Sequence, residues 1–339
     1  MFKQCEKYFR AHCHVLVVLV LLSILGTAVS IVSPYITGNI ITDISSGHSL
    51  FPILHKCKVL LLLFLLSHAM GVFSSVLKLK IELSMGKEFN CDVIFHIQDL
   101  PYSYIQSQNL SALNQAVNQD TNTIIAFCID LVLTVTTKIL NVLCILFLCF
   151  SLNIEMSLII VISSILYTLL YLVLKKKLYA TRKNLRICES NFFAKLFEQL
   201  EFIYFIKTNS IESSFRKRVD DSFAKFTSAK VNDSYLQYLI SVLQSSISLL
   251  SQLILLIVGA QCVYNDKITI GLLITFSTYF SQVQNGILYF LNLGSSYQNA
   301  RVSSQRIHDI LSKSKEPSGH KKFFATSFRQ LQEFILYIF

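Results

Sequence analysis

Between residues 15 and 293 the chain offers six stretches that approach a bilayer crossing, which takes roughly 20 apolar residues. They are 15–36, 59–77, 124–150, 156–174, 236–263 and 268–293. Such runs leave few choices, because in hydrocarbon every backbone N–H and C=O must be satisfied within the protein, and a helix does this locally. The expected fold class is all-α, a membrane protein with six transmembrane helices. The fifth and sixth runs are diluted with Ser, Thr, Asn and Gln, which suits helices facing one another or a wet cavity. Composition agrees: 53% of residues are hydrophobic and 15% charged, where a soluble domain carries about 25% charged.

The positive charge follows the same layout. Lys3, Lys7 and Arg10 precede the first run, and Lys78, Lys80 and Lys87 follow the second. Thirteen Lys and Arg lie between Lys175 and Lys230, and seven between Arg301 and Arg329. The other side has only Lys56, Lys58 and Lys267, while Lys138 falls inside the third run. Cytoplasmic loops carry the Lys/Arg excess, so both termini are expected in the cytoplasm of a multi-pass membrane protein, read as one of the bacterial plasma membrane. Topology thus accounts for the net charge of +10, and nucleic acid is not an expected partner. The run Lys175-Lys176-Lys177 marks the cytoplasmic membrane edge.

Residues 1–13 place Phe2, Cys5, Tyr8 and Phe9 on one helical face and the cations elsewhere, the pattern of a short interfacial helix. The first run is longer than a signal core and more runs follow, so it reads as a span rather than a cleaved leader. The nine cysteines contain no CxxC pair. Cys57 and Cys262 both fall on the outer side, but unpaired thiols are the expectation. His12, His14, His48 and His55 lack a supporting Cys or acidic cluster and are expected in solvated loops. No catalytic or metal constellation is expected.

Between Pro101 and Gly259 there is neither Gly nor Pro, so nothing strong stops a helix there. A helix from Met156 to about Lys207 would be roughly 80 Å long, of which the membrane takes about 30 Å. Leu185, Ile187, Phe192, Phe193, Leu196, Phe197, Leu200 and Ile203 give its projecting part an apolar stripe.

Three local stretches, in this order, carry a resemblance to a known family. The first is Leu100-Pro101-Tyr102-Ser103-Tyr104, with Ser111-Ala112-Leu113 and Asn118-Gln119-Asp120-Thr121-Asn122-Thr123-Ile124. The second is Ile206-Lys207-Thr208-Asn209 with Glu212, Phe215 and Arg216-Lys217-Arg218. The third runs from Ala300-Arg301 through Gln305-Arg306-Ile307 and Ile310-Leu311 to Glu316-Pro317. Over about residues 10–317 the chain resembles the transmembrane domain of a type I ABC exporter, in which two six-helix domains share long intracellular helices. Ser111 stands where that family usually has Gly, and Ala116 where Arg is common.

The resemblance implies two intracellular loops that couple to an ATPase. Their candidate residues are Leu110, Ser111, Ala112, Leu113, Asn114, Asn118 and Asp120, then Ser210, Ile211, Glu212 and Phe215. It also implies a cavity lined by the sixth helix, where Thr275, Thr278, Gln282 and Asn285 form one polar stripe. Gln244, Ser248 and Gln252 add a stripe on the fifth, and Lys138 adds a cation within the third. Asp130 is eight residues from Lys138, about 12 Å along a helix and too far for an easy direct pair. The competing readings are interhelical hydrogen bonding for the stripes and a structural ion pair for Lys138.

A phosphate-cradling loop needs Gly-x4-Gly-Lys-Ser/Thr so that backbone N–H groups reach the phosphates. The ten glycines provide no such spacing. The chain is therefore not expected to be an enzyme by itself. ATP and Mg would come through a partner nucleotide-binding domain, supplied in trans or lost by truncation, and residues 318–339 read as the possible start of one. The expected function is the membrane-spanning half of an exporter, acting as a homo- or heterodimer. The alternative is an inactive remnant or a regulatory membrane subunit paired with a complete half-transporter. A channel or secondary carrier is disfavoured, since no arginine ladder or paired broken spans occur.

Overall fold

A computed structural model describes residues 2–107 and 110–316, and the side chains of residues 2–4, 107 and 110–112 are outside that description. Pro317 and the 318–339 tail, with the reading of that tail, lie outside the described residues. The described chain is α-helical. Helix α1 (Phe2–Ala11) is followed by α2 (Cys13–Ser45) and α3 (Leu50–Gln98). After α4 (Tyr102–Ser107) come α5 (Leu110–Gln115), α6 (Thr121–Asp130) and α7 (Thr136–Leu152), joined by π-helical turns at Ala116–Asp120 and Leu131–Val135. Then follow α8 (Ile154–Glu201), α9 (Ile203–Thr208), α10 (Glu212–Tyr264) and α11 (Ile270–Leu311).

Among the described residues, five helical stretches are long and apolar enough to cross a membrane: α2, α3, Leu113–Leu152, α8 and α10. The sixth long helix, α11, has 42 residues, and Ser, Thr, Gln and Asn interrupt its apolar stretch, as the dilution of the last run anticipates. The first five expected runs fall within these stretches and the sixth, 268–293, overlaps α11 from Ile270 onward, so the chain is a multi-pass, all-α membrane protein.

The long helical extension expected to run to about Lys207 differs in its end. Helix α8 stops at Glu201, at 48 residues, and α9 makes a separate turn. What stops α9 is a residue the sequence does not advertise. Ser210 has φ of 52°, Ile211 N donates to Ile206 O at 3.2 Å, and Ser210 N donates to Lys207 O. This is the left-handed helix terminator that usually holds Gly. The same bond pattern ends α2 at Gly47 (φ 70°) and α10 at Asp266 (φ 57°), where Lys267 N reaches Cys262 O at 2.9 Å. Helices α7 and α8 are separated by Asn153 alone, whose side chain caps α8 by accepting from Met156 N at 3.1 Å.

The chain forms two compact units. Among the described residues, one comprises 2–13, 80–107, 110–129 and 297–316, and the other 14–79 and 130–296. In the first, Cys5 and Tyr8 of α1 are buried at 1% and 4% exposure, so the apolar face expected to lie on lipid packs against protein. His12 breaks α1 from α2 and lies 3.7 Å from Glu88, while His14 and His55 sit within helices rather than loops. In the second unit, α8 and α10 pack as an antiparallel pair. Phe192 stacks on Phe226 at 5.6 Å, but Phe193, Phe197 and Leu200 of the same stripe stay exposed. A core of Ile145, Cys149, Met156, Ile160, Phe276 and Phe280 joins α7, α8 and α11. All nine cysteines are free, and Cys262 is buried with its thiol donating to Glu155 at 3.5 Å.

Candidate functional site

In the larger unit the polar stripe of α11 meets a proline. Pro34 lies inside α2 and has no N–H to offer the carbonyl of Ser30, four residues back. Gln282 supplies the missing donor: its Nε2 reaches Ser30 O at 3.1 Å. One turn along, the Tyr279 hydroxyl donates to Ile31 O at 2.7 Å, and the buried Thr275 hydroxyl donates to Pro34 O at 3.1 Å. Farther along, Gly38 and Gly271 bring the two backbones together; a Cβ added at Gly271 would lie 1.8 Å from Gly38 O. Thr42 and Thr269 are hydrogen-bonded at 3.1 Å beside this contact. Small residues permit the close approach, and neutral donors bond the carbonyls around the proline, including the one at Ser30 that it frees.

Two of the four expected stripe residues, Thr275 and Gln282, thus face α2 and are spent on interhelical bonds. Thr278 donates only to Ile274 O of its own helix, and Asn285 is exposed with no hydrogen-bond partner among the described residues. Gln244, Ser248 and Gln252 of α10 are half-buried and also lack side-chain partners among the described residues. Lys138 is half-buried on α7, with no ion pair or hydrogen bond among the described residues. Three residues on, Asn141 Nδ2 donates to Ser30 Oγ at 3.1 Å, which ties α7 to the same point of α2.

Asp130 does not serve Lys138. Its carboxylate accepts from the Tyr289 hydroxyl at 2.6 Å and the Thr134 hydroxyl at 2.5 Å, and lies 3.5 Å from Lys78 Nζ. It stands where α6 gives way to the second π turn, a local overwidening often found at functional positions. The sequence held one clue, an acid at the edge of an apolar run. Thr134 is one helical turn away, but Lys78 and Tyr289 come from helices far apart in the chain and could not be read from spacing. Two apolar grooves lie in this unit. One of about 350 Å³ is lined by Val142, Leu146, Val161, Ile165, Val283 and Ile287, and one of about 530 Å³ runs between α2 and α7. None of the eight expected cavity residues lines either groove.

The expected coupling residues fall in two places. Leu110, Ser111 and Ala112 lie on α5, with side chains outside the described residues. Leu113 is buried, while Asn114 and Asn118 are exposed and bonded to each other at 2.5 Å. Asp120, at the end of the first π turn, is 3% exposed; it accepts from the Ser303 hydroxyl at 2.7 Å and pairs with Arg306 at 3.1 Å. The first and third recognised stretches are therefore joined through their charged residues. Lys315 extends the contact to Asp99 at 2.7 Å. In the other unit, Ser210 and Glu212 are exposed at the tip between α9 and α10, and Ile211 and Phe215 are half-buried. Arg218 lies over the Phe215 ring at 5.1 Å.

Charged pairs outside the spans behave as their partners dictate. Desolvation pushes the Asp92 carboxyl up, but hydrogen bonds from Lys7 and Tyr8 and the Lys7 charge outweigh it and hold the group below its ordinary value. Lys7 is raised in return, first by its hydrogen bond to Asp92. A hydrogen bond from Lys267 and a second from Cys262 lower Glu155.

With this geometry in place, the family described as the ABC transporter transmembrane region matches residues 16–287. Among curated proteins, the chain is 23% identical over 226 residues to a lactococcin transport/processing ATP-binding protein, LcnC-like, of Lactococcus lactis. That match covers 64% of this chain and 30% of the relative. It is 22% identical to the transport/processing ATP-binding protein ComA of Streptococcus pneumoniae, over 67% of this chain and 32% of the relative. A cyclolysin secretion/processing ATP-binding protein, CyaB, of Bordetella pertussis is 25% identical over 69% of this chain and 33% of its own length. The chain spans about a third of the length of the curated relatives it matches.

Proposed function

Since the chain belongs to the family of ABC transporter transmembrane regions and has that family's helical fold, we propose that it forms the membrane-spanning half of a peptide exporter. The observation that carries this reading is the family match across residues 16–287, and the names of the relatives, which concern transport, processing and secretion, support a peptide or protein substrate. Both termini face the cytoplasm, as the Lys/Arg distribution indicates. ATP and Mg act in a nucleotide-binding domain that works with this chain, and the chain acts as a dimer with another half.

In this reading Lys138, Asn285, Thr278 and the α10 residues Gln244, Ser248 and Gln252 face the path. Thr275 and Gln282 hold α11 to α2 behind it. Movement of the ATPase is transmitted through the segment Leu110–Asn118 and the tip at Ser210–Phe215. The Asp120–Arg306 pair passes it to α11. Switching between two packed arrangements is the physical basis of the transport step. The test is transport of a peptide set by the chain reconstituted with its ATPase. Lys138→Gln and Asn285→Leu should change which peptides are carried; an unchanged preference in both removes these residues from the path.

Ala116 favours a second reading. It is 3% exposed at the start of the first π turn, where the family commonly places Arg. A chain lacking that cation could act as a regulatory or inactive membrane subunit beside a complete half-transporter. Co-purification separates the two readings: an ATPase bound to this chain directly supports the first, and a complete half-transporter as the sole companion supports the second.

A further inference from the structure

Helix α1 turns an apolar face inward with Cys5 and Tyr8 three residues apart, both almost fully buried. Across from them is α6, where Ile124, Ile125, Cys128 and Ile129 are all at 0% exposure. The Cys128 thiol donates to the Cys5 sulfur at 3.8 Å, and no other two thiols make such a contact among the described residues. One buried cysteine behaves as a small hydrophobe. Two that face each other across different helices can also be joined, at the cost of closing their separation by about 2 Å.

The flanks of α1 keep the pair in register. The Tyr8 ring packs on Phe89 at 5.2 Å, the Tyr8 hydroxyl donates to Asp92 at 2.6 Å, and Lys7 pairs with the same carboxylate at 2.8 Å. These contacts hold one sulfur against the other, which raises the effective concentration for bond formation between them. They also shut the sulfurs off from solvent, so a reagent reaches them only when α1 lifts.

We propose that Cys5 and Cys128 are an oxidisable dithiol which, closed to a disulfide, staples the N-terminal helix to α6. The oxidant is a small-molecule disulfide of the glutathione type. One cysteine sulfur attacks it, releases one small thiol and carries the other as a mixed disulfide. The second cysteine sulfur then displaces that group as a second thiol. The S–S bond of the reagent is broken and one protein S–S bond is formed. The two cysteine protons and two electrons leave on the two released thiols. The Lys7–Asp92–Tyr8 contact sets how often α1 lifts and so how fast the pair closes. The proposal stands independently of what the chain transports.

The test uses the full chain in its native membranes, treated with oxidised glutathione and then alkylated. The product is mapped by mass spectrometry of non-reduced peptides. A Cys5–Cys128 linked peptide should form about tenfold more than any other cysteine pair. It should vanish on reduction and be lost in both Cys5→Ser and Cys128→Ser. Asp92→Asn should speed its formation and the alkylation of Cys5 in the reduced chain. A linkage of Cys5 to another cysteine, or one between two copies, overturns the proposal. So does the absence of any link in the native chain when the same chain unfolded in detergent oxidises fully.

Discussion

The crossing of α2 with α11 and the contact of Asp120 with Ser303 and Arg306 both fasten α11, but by different chemistry. At the crossing, within the apolar spans, the adhesive is backbone contact between Gly38 and Gly271 with neutral donors from Thr275, Tyr279 and Gln282 to carbonyls. At Asp120 it is a buried carboxylate held by a guanidinium that is itself 47% exposed on its side chain. Lipid tails cannot hydrate an ion, so the spans rely on shape and on neutral bonds worth about 0.6 kcal/mol each. Where water reaches the far end of an arginine, a buried carboxylate becomes tolerable, and removing its partner becomes expensive.

That contrast can be broken by substitution. The largest effect is expected for Gly271→Val, whose Cβ would collide with the Gly38 carbonyl oxygen. A loss of about 3 kcal/mol or complete failure to fold is expected, measured by unfolding in mixed micelles. An unchanged midpoint would mean that the backbones are not in contact. Arg306→Ala should cost about 2 kcal/mol, below the usual figure for a broken buried pair because the arginine is half-exposed. Asp120→Asn should cost less, since the guanidinium it leaves unpaired is half-exposed and can be hydrated. Gln282→Leu should cost about 1 kcal/mol. In a Pro34→Ala background that cost should fall towards zero, because residue 34 then offers its own N–H to Ser30. Equal costs in the two backgrounds would refute the assignment of Gln282 to the proline's carbonyl.

The smallest effect sharpens the contrast through pH. Asp92 is held below its ordinary value, so its contribution to docking α1 is present above about pH 3.9 and fades as pH falls through the lower folded value. Lys7 is raised, so its contribution is full below about pH 10.4 and fades as pH rises through the higher folded value. The rate of Cys5 alkylation, divided at each pH by that of the same chain unfolded to cancel the thiolate fraction, should therefore rise towards both extremes, and Asp92→Asn should flatten the acid limb. The neutral bonds of the α2–α11 crossing should show no such dependence over the acid limb when followed by the stability cost of Gln282→Leu.

Much of the fold is written in residue type and period. Long apolar runs require helices wherever lipid removes the alternative partners for backbone groups, and the structure has a long helix at each of the six. The ends of these helices are less legible. Ser210 and Asp266 adopt the left-handed terminator conformation without being glycine, so α9 and α10 stop where composition shows no breaker. The charge at Lys138 and the period of Thr275, Thr278, Gln282 and Asn285 were also visible, but a period says only that residues share a face.

What that face meets was decided by the packing. Gln282 and Thr275 look inward to α2 because Pro34 leaves a carbonyl without a donor and Gly38 lets the helices close. Asp130 was eight residues from Lys138 and found Tyr289 and Lys78 from distant helices instead. Asp120 and Arg306 belong to recognisable stretches, yet only the fold brings them within 3.1 Å. Local pattern determines backbone state because the forces involved act within a few residues. The pairing of polar groups depends on which distant helices share a surface, and that is settled only when the chain packs.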